Sequence, residues 1–187
     1  METVSFTRMD QGTKEDYLLT GSLYRQADAH VADQALGLLI SMAGPTYGYQ
    51  VDRYQHSLQA ASRAHRDGAD EETIVCALLH DVGDVLAPHN HSQVAAAILR
   101  PFVSERNHWI ILHHGIFQGY YFWHHIGGDR DAREHFRGHP YFDACADFCE
   151  YWDQRAFDPA YDTMPLETFE PMVRRLFAKS TDDCDNG

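Results

Sequence analysis

The apolar run at residues 74–79, IVCALL, ends in a histidine and an aspartate side by side, His80 and Asp81, and the segment that follows breaks at Gly83 and Pro88. A carboxylate next to a buried run loses hydration and must be paired or bound to a cation to offset that loss. Imidazole beside carboxylate is a ligand set that divalent iron, manganese or zinc can use. The stretch CALLHDVGDVLAPHNH, residues 76–91, therefore constrains everything else: any fold of this chain has to bring partners to the His80–Asp81 pair.

A chain of 187 residues fits one domain with a core of ordinary size. Its 15 Lys and Arg against 28 Asp and Glu give a formal charge of -13. Such a surface repels nucleic acid and anionic membrane, so the expected partner is a small molecule. No apolar run approaches the roughly 18 residues that span a bilayer, and METVSFTRMDQGTKED has no signal-peptide pattern, so a cytoplasmic location is expected. The four cysteines are scattered, three in apolar or helical settings, and no disulfides are expected. Many of the 13 histidines fall between His80 and His139, which marks that region for metal or acid–base work.

Residues 1–16 are polar and expected to be loose; residues 17–179 are expected to form a single domain, and 180–187 a disordered tail. Apolar residues recur at helical spacing over 17–42, predicting one or two helices, and a tyrosine-rich loop, AGPTYGYQVDRY, follows. Helices are predicted over 51–68, carrying His56 beside small residues, and over 70–79, with Asp70 as N-cap and His80 and Asp81 at the far end. Two shorter ones are predicted over 92–99, with His91 at the entrance, and 107–115, ending in His113 and His114. GIFQGYYFWHHIGG fits neither regular strand nor helix. Over 141–153 Tyr141, Cys145, Phe148, Cys149 and Trp152 share a face that Asp153 continues, and a helix over 166–179 closes an all-α fold.

The inward acids and histidines are then His56, His80, Asp81, His91 or a neighbour, His113 or His114, and Asp153. They come from separate helices or helix ends, as metal sites in helical cores do. His56, then ALLHDVGD, then the downstream histidines and Asp153 resemble the HD-domain superfamily of helical metalloproteins over about residues 45–178. That resemblance implies a helical bundle with a dinuclear metal site in its core. One metal would take His56, His80, Asp81 and Asp153, and the other Asp81, His91 and His114, with Asp81 bridging and Asp84 behind the ligands. NHSQVAAAIL resembles the family's histidine that opens a small-residue helix, which favours His91 over His89; the HGIFQGYY context favours His114.

Members of the superfamily are mostly metal-dependent phosphohydrolases, and a smaller branch consists of mixed-valence diiron oxygenases that include organophosphonate-cleaving enzymes. Many of the hydrolases carry a lysine shortly after the HD pair, whereas here that region reads Gly83-Asp84 and the chain has only Lys14 and Lys179. The spacing of His56 and His80 and the TYGYQV segment resemble the phosphonate-cleaving branch, which has a YxGE-like loop whose acid meets the substrate amine. Here Tyr49 stands in place of the glutamate, and the loop tyrosine is displaced to Tyr47 or absent. The resemblance implies two iron ions, Fe(II)/Fe(III), with O2 as co-substrate, cleaving the C–P bond of a 1-hydroxy-2-aminoethylphosphonate; the alternative is a phosphohydrolase acting on a small phosphoester. An aromatic ring in place of an acid suits a quaternary amine, with Tyr49 and Tyr120, Tyr121, Phe122 or Trp123 as a cage. Gln118 and Arg137 are expected at the phosphonate from position and chemistry.

Overall fold

The structure, a computed structural model, describes residues 2–28 and 30–178; the expected tail at 180–187 lies outside the described residues. Eight α-helices form it: α1 (Lys14–Asp28), α2 (Val31–Ser41), α3 (Arg53–Arg66), α4 (Glu71–Leu79), α5 (His91–Leu99), α6 (Glu105–Phe122), α7 (Phe142–Asp147) and α8 (Leu166–Phe177). A π-helix, Phe148–Asp153, continues α7, and no strand occurs among the described residues. The all-α expectation is met.

Local chemistry sets the helix starts that matter. Asp52 caps α3 by accepting from the Gln55 backbone N–H at 2.8 Å, and Asp70 caps α4 by accepting from that of Thr73 at 2.7 Å. From Thr73 to Leu79 every residue of α4 is buried, so this helix is surrounded on all sides and its C-terminal end lies deep in the protein. Helix α3 packs along α4 with Leu58, Ala61 and Ala64 in the core, and α8 covers α4 from the other side through Phe169, Val173 and Leu176. Helix α5 packs on α6, and the π-helix lies against α3 and α6.

Three elements differ from expectation. Helix α6 does not stop near residue 115 but runs to Phe122, so most of the aromatic segment GIFQGYYFWHHIGG is helical. Its glycines are there for contact rather than as breakers. A Cβ at Gly115 would come within 2.8 Å of Ser92 Oγ on α5, and one at Gly119 would run into the Trp123 ring. The predicted 141–153 helix begins at Phe142 and widens into the π-helix at Phe148, where the Gln154 N–H reaches back five residues to the Cys149 carbonyl at 3.0 Å. Cys149 and Asp153 both remain buried. Helix α1 also begins earlier than expected, at Lys14, where Thr13 and Asp16 exchange hydrogen bonds as a cap.

Candidate metal centre

Five parts of the chain deliver six polar side chains to one buried point. His56 comes from the first half of α3, His80 and Asp81 from the end of α4, His91 from the first position of α5, His114 from the middle of α6, and Asp153 from the end of the π-helix. Apart from His91 all are buried. Each imidazole is oriented by its own Nδ1, which faces a backbone carbonyl: Ala156 for His56 (3.0 Å), Ala77 for His80 (2.8 Å), Pro88 for His91 (3.2 Å) and Ile111 for His114 (2.7 Å). A carbonyl only accepts, so each Nδ1 carries the hydrogen and each Nε2 turns inward.

The inward atoms form two groups around Asp81. Its Oδ2 faces the Nε2 atoms of His56 and His80 at 3.4 and 3.5 Å, and its Oδ1 faces those of His91 and His114 at 3.4 and 3.3 Å. Asp153 Oδ1 joins the first group, 3.2 Å from His56 Nε2 and 3.6 Å from His80 Nε2. Asp153 Oδ2 is buried with no hydrogen-bond partner. Neutral imidazoles here would point lone pairs at carboxylate oxygens, an arrangement that needs a cation between them. His56, His80 and Asp81, and likewise Asp81, His91 and His114, bring ligand atoms within 4.8 Å of one another, as a metal ion requires. The donors therefore fit metal ions, and nitrogen with carboxylate oxygen suits iron, manganese or zinc.

Electrostatics agree. Burial works to lower the His80 pKa, but Asp81 and Asp153 outweigh it and hold it up at about 9. Burial likewise opposes ionisation of Asp81 and Asp153, yet the surrounding imidazoles, with Arg53 beside Asp81, keep both carboxyls below their ordinary range. The centre thus holds its negative charge and keeps a proton on His80 when no other cation is present.

A cavity of about 340 Å³ opens over the cluster, with Asp81, His91, His114 and Asp153 on its floor and Tyr49, Tyr121, Phe122 and Phe157 among its walls. Tyr49 stacks on Phe157 at 4.9 Å, and Phe157 stacks on His56 at 4.4 Å. The Tyr121 hydroxyl donates to Glu150 at 2.7 Å. Gln118 lines the cavity too, but its amide donates to Asp153 at 3.2 Å, so it positions that carboxylate.

Other expected substrate residues lie elsewhere. Tyr47 is 80 % exposed at φ 51° and borders a separate depression. The Tyr120 ring packs under the Arg130 and Arg133 guanidinium groups, and Trp123 packs against Gly119 and Gly128. Arg137 is paired with Glu134 and lies over the Phe142 ring. His113 turns away from the centre, donating to the Trp109 carbonyl and stacking on the Trp109 ring, which leaves His114 as the inward histidine of α6. Asp84 sits behind His91, 3.6 Å from its Nδ1, and is paired with Arg53 at 3.0 Å.

Sequence reasoning missed Arg53 and Phe157. Arg53 precedes His56 by three residues and so shares its helix face, a signal present in the sequence. Phe157 lies in an aperiodic segment, and only the packing of that segment on α3 brings it to the site.

Compared with models of protein families, residues 53–157, more than half of the chain, match the HD domain. A comparison with curated proteins finds no match.

Proposed function

The chain belongs to the HD-domain family, whose members are typically metal-dependent enzymes, and from that premise we propose that it is an O2-dependent diiron oxygenase of organophosphonate breakdown. Its substrate in this reading is 1-hydroxy-2-(trimethylammonio)ethylphosphonate, cleaved at the C–P bond to glycine betaine and phosphate. Substrate and O2 together contain all the atoms of the two products, so no outside reductant enters.

His56, His80, Asp81 and Asp153 would hold one iron, and Asp81, His91 and His114 the other, in a mixed Fe(II)/Fe(III) pair. When bound, the irons supply redox chemistry toward O2 and a Lewis-acid site for substrate oxygens. The chain's own residues hold the geometry. Backbone carbonyls fix all four imidazoles, and Gln118 fixes Asp153.

The choice of a quaternary amine rests on one observation. Among the residues lining the cavity the only acids are Asp81 and Asp153, both of which the irons would engage, while Tyr49, Tyr121 and Phe122 present rings. A primary ammonium would find no free carboxylate there, whereas a trimethylammonium group needs ring faces rather than acceptors.

The test is anaerobic loading with iron followed by O2 uptake on adding hydroxyphosphonates with primary or quaternary amines. The expected result is O2 consumption with release of phosphate, fastest with the trimethylated compound. Release of phosphate from small phosphoesters with manganese and without O2 would assign the chain to the family's hydrolases instead.

A further inference from the structure

We propose that Arg53 takes the anionic end of the substrate and that Asp84 holds it in position to do so. The inference rests on the phosphonate reading above, and it names the group that recognises the phosphonate.

Arg53 is the only cationic side chain among the residues lining the cavity, and its side chain is largely buried. It also borders the neighbouring depression of about 190 Å³ with Tyr47 and Asp84, so it stands in the wall between the two spaces. Its Nε makes a close pair with Asp84 Oδ2 at 3.0 Å, whereas Nη1 is only loosely held by Asp81 Oδ2 at 3.4 Å. Asp81 Oδ2 is at the same time faced by His56 and His80, so Arg53 is the outer of its partners. The other terminal nitrogen, Nη2, has no acceptor among the described residues. The guanidinium lies 5.2 Å from the centre of the Tyr49 ring.

This is how a cation is made ready for an oxyanion. One edge of the guanidinium is fixed by a carboxylate, and the terminal nitrogens stay available as a fork that matches two oxygens of a phosphonate. With the ions bound on the floor, Arg53 at the wall adds a directional donor for the phosphonate oxygens that a metal ion does not supply. Asp84 contributes by ordering Arg53 before substrate arrives.

Methylphosphonate, titrated calorimetrically into the metal-loaded and the metal-free protein, tests this directly. We expect Arg53→Gln to weaken its binding by at least about tenfold, the scale of one lost charge-assisted hydrogen bond, with Arg53→Lys in between and Asp84→Asn weakened several-fold although Arg53 is still present. Metal affinity is the second readout. Removing a cation beside Asp81 should leave it unchanged or raise it, whereas a merely structural arginine would lose metal and anion binding together.

Equal methylphosphonate binding by Arg53→Gln and the natural protein overturns the inference. A parallel loss of metal binding and melting temperature in both the Gln and Lys variants overturns it as well. Natural protein that binds no methylphosphonate at all overturns the phosphonate reading, and this inference with it. Binding that is lost only in the Arg53 variants upholds Arg53 even where no O2 is consumed.

Discussion

The Nε2 atoms of His56 and His80 lie 3.1 Å apart, each on a ring whose other nitrogen is already committed to a backbone carbonyl. Something positive has to lie between them: a proton on His80 in the metal-free protein, a metal ion otherwise. His80 is held up at about 9, above its ordinary 6.5, so its proton stabilises the metal-free fold fully below pH 6.5 and that contribution is lost as pH rises through about 9. Metal binding must displace the same proton. Between pH 6.5 and about 9 metal affinity should therefore rise roughly tenfold per pH unit, while the melting temperature of the metal-free protein falls. Chelator competition and thermal melts across that range measure both; a flat affinity profile would show that His80 carries no proton to displace.

Asp81 divides its two oxygens between two pairs of imidazoles, whereas Asp153 reaches only His56 and His80. Their substitutions should differ in stoichiometry. Asp81→Asn is expected to abolish binding of both ions, and Asp153→Asn to lose the ion at His56 and His80 while keeping the one at His91 and His114. Metal analysis of dialysed protein, with circular dichroism to confirm that the helices persist, counts the ions directly. Equal losses in the two variants would contradict a shared Asp81.

What the sequence disclosed here follows from what short-range physics can determine. The caps at Asp52 and Asp70, and the apolar run that carries His80 and Asp81 inward, are local signals, and the structure contains them at those positions. Adjacent residues on a helix point about 100° apart, which is why His113 and His114 cannot both face the centre and why Tyr121 lines the cavity while Tyr120 does not. Periodicity alone does not say which of two neighbours wins; the packing of α6 on α5 decides that. Tyr47 is expected from the resemblance of its loop and Arg137 from position and chemistry, neither with a periodic pattern to place it, and neither lines the cavity. The segment around Gly115 and Gly119 fits no regular element in sequence because what these glycines make room for, Ser92 on α5 and the Trp123 ring, is set by the packing.

Gly83 shows how closely the His80–Asp81 turn is fitted to α5. A Cβ there would lie 2.8 Å from His91 Cα and would overlap the His91 carbonyl oxygen, which are backbone atoms that cannot step aside. Gly83→Ala should push the start of α5 outward, destabilise the protein by about 1–3 kcal/mol as overpacking does, and weaken the ion at His91 and His114 more than the other. Denaturant unfolding and metal analysis of the variant check the two effects separately.

Tyr49 offers the sharpest control of amine preference, because its ring stacks on Phe157 at the cavity wall and is 48 % exposed there. Tyr49→Phe keeps the ring face and should keep affinity for a quaternary ammonium, with choline as the probe. Tyr49→Glu removes the face and adds an acceptor. It should weaken choline by about tenfold, as loss of a cation–π contact of 1–2 kcal/mol implies, and strengthen ethanolamine. The Arg53 guanidinium, 5.2 Å from the Tyr49 ring, competes for the new carboxylate, so the gain for ethanolamine should be larger in Tyr49→Glu combined with Arg53→Gln. Calorimetric titration of both amines into the three variants measures the shift. Choline binding unchanged in Tyr49→Glu would remove this ring from the recognition of the amine.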